Sequence, residues 1–179
     1  MNFRIFYFRI NKEALDIIPD SEILKEKQLE IENSYPKNML DVVSAYQTGG
    51  NPYKEYTSSQ SGEIESFIMG GVKYTNGMTF NADINIFDDI SWAVYNLSCK
   101  YKTLEFTVCH VDGTDIGKET SLQIICDGVL KEEIILAPDM SPKKVIVNVE
   151  GVTQLKMQVS SSGNDGPVYG VGNPVLKSY

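Results

Sequence analysis

The sequence predicts an all-β protein, an antiparallel β-sandwich carried behind an N-terminal arm. Three observations carry that prediction. From Met39 onward, short apolar runs are separated by Gly, Pro, Asn, Asp and Ser at close intervals. The best of these runs alternate apolar and polar residues with period two. No helical period is sustained anywhere in that part of the chain.

Residues 1–37 read differently and are taken as an arm or linker, with the sandwich over 38–179. "FRIFYFRI" is rich in aromatic and β-branched residues and predicts an edge strand. "DSEILKEKQLEIEN" predicts a charged helix, with Ser21 as its N-cap and Ile23, Leu24 and Ile31 as a thin apolar face. "SYPKN" then breaks the chain. The opening "MNFRIFYFRI" is a poor signal peptide: Arg4 and Arg9 interrupt a short apolar run, and no small-residue cleavage site follows. No later stretch is long and apolar enough to insert as a membrane helix.

The strand segments follow in order: "MLDVVSAY", "YKEYT", "SFIMG", "VKYT", "MTF", "WAVYNL", "KTLEFTVCHV", "TSLQIIC", "LKEEIILA", "KKVIVNV", "TQLKMQVS" and "VYGVGNPVL". In "KTLEFTVCH" the inward set is Leu104, Phe106, Val108 and His110, against outward Thr103, Glu105 and Thr107. Val145, Val147 and Val149 point inward in "KKVIVNV". Past the turn at Glu150-Gly151, so do Leu155, Met157 and Val159, with Gln154, Lys156 and Gln158 facing water. Sheets with one wet face must stack on each other, which makes a sandwich. At Asp127-Gly128 a two-residue loop would place Ile124 opposite Lys131 and mix the faces. A three-residue loop, Cys126-Asp127-Gly128, pairs Ile124 with Leu130 and is the prediction.

Composition narrows the function. A net charge of −8 disfavours nucleic acid and anionic membrane surfaces, both of which need a cationic footprint. A neutral partner such as a glycan is compatible with it. Three cysteines, Cys99, Cys109 and Cys126, sit ten and seventeen residues apart with no C-x-x-C pair; a structural zinc site needs about four ligands and only one histidine is available to help, so they read as free thiols.

His110, the single histidine, has inward strand parity and reads as a hydrogen-bonded core or rim residue. No G-x-S-x-G nucleophile elbow accompanies it. Paired carboxylates occur at Asp88/Asp89, Asp112/Asp115 and Glu132/Glu133, but nothing in the sequence marks one pair as the two acids of a glycosidase. No catalytic residue is assigned. "DGTD" at 112–115 and "NDG" at 164–166 offer oxygens of the kind calcium takes, without completing a loop motif, and turn formation accounts for these residues equally. Asp112 and Asp115 are the candidate metal ligands, and calcium is the one cofactor considered.

The aromatic residues are more informative. Flat rings stack on the C–H faces of sugars, and amides and carboxylates bond the hydroxyls. Trp92 opens a strand whose inward set is Ala93, Tyr95 and Leu97, so its indole should face outward or lie at a loop end. Tyr169 lies beside the polar loop "SSSGNDG". Trp92 and Tyr169 are therefore the candidate stacking platforms, with Asn164, Asp165 and Asn173 as hydroxyl partners.

Read together, "YKEYTSS", "FIMGGVKYTNGMTF", "AVYNLSCKYKTLEFTVCHVDGTD", "LQIICDGVL" and "VNVEGVTQLKMQV" resemble, in that order, the NPCBM family of carbohydrate-binding modules, over roughly residues 38–177. The resemblance implies a jelly-roll-like sandwich, glycan binding without catalysis, and an extracellular or cell-surface setting beside bacterial glycan-active enzymes. Gly70, Gly71, Tyr74 and Gly77 match the family pattern and read as structural. A second reading makes the chain an attachment protein of a cell-surface or phage-tail-like assembly, docked to a protein partner by residues 1–37.

Overall fold

The computed structural model describes residues 3–50, 53–57, 65–82, 90–160 and 167–178. Two helices come first. The expected edge strand "FRIFYFRI" is instead the start of α1 (Phe3–Ile17). Tyr7, Ile10, Ala14 and Ile17 recur every three or four residues, and the good helix formers Lys12 to Leu15 continue the run, so helical period overrides β-propensity. Helix α2 (Glu22–Ser34) begins as predicted, with the Ser21 hydroxyl accepting from the Leu24 amide at 3.3 Å. Leu24 and Ile31 are half-buried, whereas Ile23 is 70% exposed. Asn11 is buried where the helices meet, donating to the Leu24 carbonyl at 3.0 Å and to Gln28 Oε1 at 3.2 Å.

Two antiparallel sheets form the sandwich. One runs in the order β11 (Lys143–Asn148), β8 (Thr103–His110), β13 (Val168–Lys177), β6 (Gly77–Asn81), β3 (Tyr53–Tyr56), with β1 (Lys37–Asn38) also pairing β13. The short helix α3 (Met39–Val42) follows β1 and buries Met39 and Leu40. The other sheet runs β10 (Val129–Leu136), β9 (Thr120–Cys126), β12 (Gln154–Ser160), β7 (Ile90–Asn96), β2 (Ala45–Gly49). The inward sets read from the pleat are buried together in one cluster, Leu104, Phe106 and Val108; Val145, Val147 and Val149; Leu155, Met157 and Val159, with the exception of His110, which ends β8 and is only half-buried. Burial of their apolar surface is what holds the layers face to face. The segment "YNLSCKYK" carries the chain from β7 in one sheet to β8 in the other, with Ser98 and Cys99 both at positive φ.

"FIMGGVKY" forms a small third sheet, β4 (Phe67–Met69) and β5 (Val72–Tyr74), and "GMTF" continues into β6 of the first sheet. Gly70 and Gly71 have φ of 56° and 78°, the pair of left-handed residues a type I′ hairpin turn requires. Phe67, Met69 and Tyr74 pack with Cys109 and Val111 in a second cluster. The hairpin lies close over β13: a Cβ at Gly172 would fall 2.3 Å from the Tyr74 ring. Asp112 clasps the turn from β8's end. Its carboxylate accepts from the Gly70 amide at 2.9 Å and the Gly71 amide at 2.7 Å, and its own amide donates to the Ile68 carbonyl at 2.8 Å.

The hairpin between β9 and β10 differs from the expected three-residue loop. Cys126 pairs with Val129, so Asp127-Gly128 is a two-residue turn with φ of 48° and 80°. The face-mixing that a two-residue turn implied is removed by a bulge between Leu130 and Glu132. The extra residue restores the phase, so that Glu133 faces Gln123 and Ile134 faces Leu122. Asp127 is also anchored to the neighbouring strand, its carboxylate accepting from the Gln154 amide at 2.8 Å and the Thr153 amide at 3.2 Å.

Candidate functional site

The outer face of the five-stranded sheet gathers an aromatic and amide surface. Register aligns one residue from each strand in a single row: Gly49, Trp92, Gln158, Gln123 and Glu133. Every residue in this row is on the wet side of its strand, because the period-two pleat puts Ala93, Met157 and Ile124 of the adjacent row into the core.

Trp92 is partly exposed, and Gly49 makes room for it, since a Cβ on that glycine would fall 2.5 Å from Trp92 Cζ2. The Lys156 ammonium sits 4.9 Å from the centroid of the Trp92 ring, a cation–π contact. Beside them Tyr46, half exposed, accepts a hydrogen bond at its hydroxyl from Gln154 Nε2 at 2.5 Å. From Trp92 outward the amides form a directional relay. Gln158 Nε2 donates to Gln123 Oε1 at 2.6 Å, and Gln123 Nε2 donates to Glu133 Oε1 at 3.0 Å. The Ser121 hydroxyl donates to the same Glu133 oxygen at 2.9 Å. Donation first from Gln123, then from Ser121, holds the Glu133 carboxyl below the usual carboxylate range.

Trp92 is therefore outward, as its strand parity requires. Tyr169 is not a surface platform. It is 1% exposed in the core, its hydroxyl donates to the Leu136 carbonyl at 3.1 Å, and burial pushes its phenol up to about 12. The physical reason is parity: Tyr169 and Val171 share the core face of β13, leaving Gly170 and Gly172 beneath the β4–β5 hairpin. Asn173 is exposed at φ 49° in the β13 bulge, on the other sheet from Trp92. Asp88, Asp89, Asn164 and Asp165 lie outside the described residues.

The two candidate calcium ligands are separated in role. The Asp112 carboxylate is occupied by the Gly70 and Gly71 amides, and Asp115 is exposed, its backbone carbonyl facing His110 Nε2 at 3.0 Å. Among the described residues no group of three His, Cys, Asp or Glu is placed to hold a metal ion.

His110 bonds Thr114 and Asp115. The Thr114 hydroxyl donates to the Val111 carbonyl at 2.8 Å, so His110 Nε2 must be the donor to both Thr114 Oγ1, at 3.1 Å, and the Asp115 carbonyl. The ring packs edge-on against Tyr169, with centroids 5.7 Å apart. The cysteines are free, with Cys99 exposed and Cys109 and Cys126 buried.

Tyr46, Gln123 and Gln158 carry no sequence signal that marks them as binding candidates. The outward positions of Gln123 and Gln158 are legible from alternation, but alternation does not say which strands are neighbours or in what register.

A model of the NPCBM/NEW2 domain matches residues 38–170. Among solved structures, a CBM51 module from Clostridium perfringens GH95, in complex with methyl-galactose, superposes with a TM-score of 0.59 at 17% identity, covering 80% of this chain and all of that one. The M60 catalytic domain with CBM51-1 and CBM51-2 from Clostridium perfringens ZmpB gives 0.60 at 16% identity over 80% of this chain. The tandem CBM51 modules of Sp3GH98 from Streptococcus pneumoniae give 0.59 at 10% identity over 80% of this chain and 47% of theirs. This chain spans 15% of the ZmpB catalytic-domain structure and 32% of the ZmpB structure with CBM51-2 and INT domains. No curated protein matches. At these identities the superpositions speak for the fold, a β-sandwich of the kind these modules share. With the family match spanning most of its length, the chain belongs to the NPCBM/NEW2 domain family.

Proposed function

We propose that this chain is a non-catalytic carbohydrate-binding module. The observation that carries the reading is the family match over residues 38–170. The fold is consistent with it, since the similar CBM51 structures include one in complex with methyl-galactose and one with GlcNAc. So is the chemistry of the surface. Trp92 and Tyr46 supply flat rings, and Gln123, Gln158 and Glu133 supply hydroxyl partners. The proposed setting is extracellular or cell-surface, where such modules hold glycan-active machinery on its substrate. A single shallow site of this kind binds at roughly millimolar to micromolar Kd, so tethering or several copies would multiply it. Isothermal calorimetry and a glycan array on the intact chain test the reading; no binding to any bacterial or host glycan would refute it.

One observation favours a second role beside the first. Helices α1 and α2 precede the family match, and Ile17 (80% exposed), Ile23 (70%) and Leu29 (59%) on them are left uncovered by the described residues. An arm with unburied isoleucines suits attachment to a protein partner. Deleting residues 1–37 tests it: attachment would be lost while the sandwich still binds glycan.

A further inference from the structure

We propose that the glycan lies on the outer face of the five-stranded sheet, across the strands, and that the ligand is an extended neutral glycan of several residues rather than a sugar end held in a loop pocket. This rests on the glycan-binding reading above and assigns its surface.

The argument begins with spacing. The row Trp92–Gln158–Gln123–Glu133, with Gly49 at its other end, crosses five adjacent strands. Four inter-strand gaps make a track of about 19 Å, at roughly 4.8 Å per gap. A pyranose unit in an extended chain is about as long as one such gap, so each successive ring meets the next side chain of the row.

Polarity follows the same line. Gln158 and Gln123 spend one N–H each on the relay toward Glu133, which fixes both amides in orientation. The Gln158 carbonyl oxygen and the second Glu133 oxygen remain as acceptors for sugar hydroxyls, already held in place before a ligand arrives. At the other end the track meets Trp92, which lies against the Gly49 backbone, with Tyr46 on the same face.

Charge selects the ligand class. Lys156 beside the indole and Glu133 at the far end offset each other, and the chain as a whole carries −8, which opposes acidic polysaccharides. Lys156 now occupies space over the Trp92 ring, so a stacking sugar must displace it. Removing that lysine side chain should therefore tighten binding, by about two- to fivefold.

The experiment is calorimetry with the intact chain against neutral oligosaccharides of one to five residues, using methyl-galactose and GlcNAc as single-sugar controls and a uronic-acid oligomer as the charged control. Expected results are affinity that rises with length to about four residues, weaker binding of the acidic oligomer, a loss of about tenfold or more in Trp92→Ala, and tighter binding in Lys156→Ala. Gln123→Ala, which interrupts the relay at its centre, should weaken long ligands by a larger factor than it weakens single sugars. Thermal melts of each variant confirm that it folds. If the wild-type chain binds glycans while Trp92→Ala and Gln123→Ala both keep their Kd within twofold, the sheet-face assignment is overturned and the glycan-binding reading stands. Affinity independent of ligand length overturns the extended-glycan class. A wild-type chain that binds none of the glycans on the array overturns both.

Discussion

Replacing Asp112 by asparagine separates its two conceivable roles, hairpin clasp and calcium ligand. Its carboxylate takes one hydrogen bond from each amide of the Gly70-Gly71 turn, at 2.9 and 2.7 Å. Asparagine keeps one acceptor and turns an NH2 group toward the other amide, so one bond is lost and a donor faces a donor. A hydrogen bond to a charged group is worth about 1.5–3 kcal/mol. Both bonds are exposed to solvent, which places the cost nearer about 1–2 kcal/mol. For a chain of this size that lowers Tm by roughly 2–8 °C. Because the clasp acts on β4–β5, hydrogen exchange at Gly70 and Gly71 should accelerate even where the global melt moves little. The assay is therefore a thermal melt with and without millimolar calcium, paired with exchange at the turn. A clasp predicts lower Tm in Asp112→Asn at every calcium concentration, with the wild type indifferent to calcium. A wild-type Tm that climbs with calcium, together with unchanged exchange at the turn in Asp112→Asn, would refute the clasp and restore the aspartate as a metal ligand.

Three further outcomes are expected. Tyr169→Phe leaves the Leu136 carbonyl without its buried donor and should cost about 1–3 kcal/mol by denaturant titration, with glycan affinity unchanged because the ring is in the core. Glu105 lies between Lys177 and Lys144, and hydrogen bonding to Lys177 first, then the charges of both lysines, depress its carboxyl. Its stabilisation is present above the unfolded carboxylate range and disappears as pH falls through the lower folded value, so Glu105→Gln should flatten the acid limb of a stability–pH curve. Under a thiol-alkylating reagent at pH 8, Cys99 should label at once, while Cys109 and Cys126, buried and with their thiols pushed up by that burial, should label only at the rate of unfolding; equal labelling of all three would contradict the packing.

Much of the fold was legible in the chain, and the reason is local. Period-two alternation states which side of a strand is wet whatever its neighbours, so the inward residues of β8, β11 and β12, His110 excepted, are legible from the chain alone. Gly70-Gly71 and Asp127-Gly128 are legible as turns because few residues tolerate positive φ. The Ser21 cap is local in the same sense. Sequence and structure part where two local signals compete. In "FRIFYFRI" aromatic β-propensity opposed a helical spacing that continued past Asn11, and the longer period won. At Tyr169 the neighbouring polar loop suggested exposure, although Tyr169 and Val171 alternating with two glycines already marked a core face and a closely covered face.

The sequence by itself determined the strands, their wet and dry faces, the principal turns and a family resemblance that names a ligand class. Only the tertiary structure decided which wet faces lie side by side. It brought Trp92, Gln158, Gln123 and Glu133 into one row from four separate strands, β7, β12, β9 and β10, and it drew Asp112 onto a turn about forty residues earlier.

 The physical reason is that a strand's alternation is fixed by its own residues. Register and neighbour choice are fixed by the joint burial of all the inner faces at once, a quantity no single segment contains.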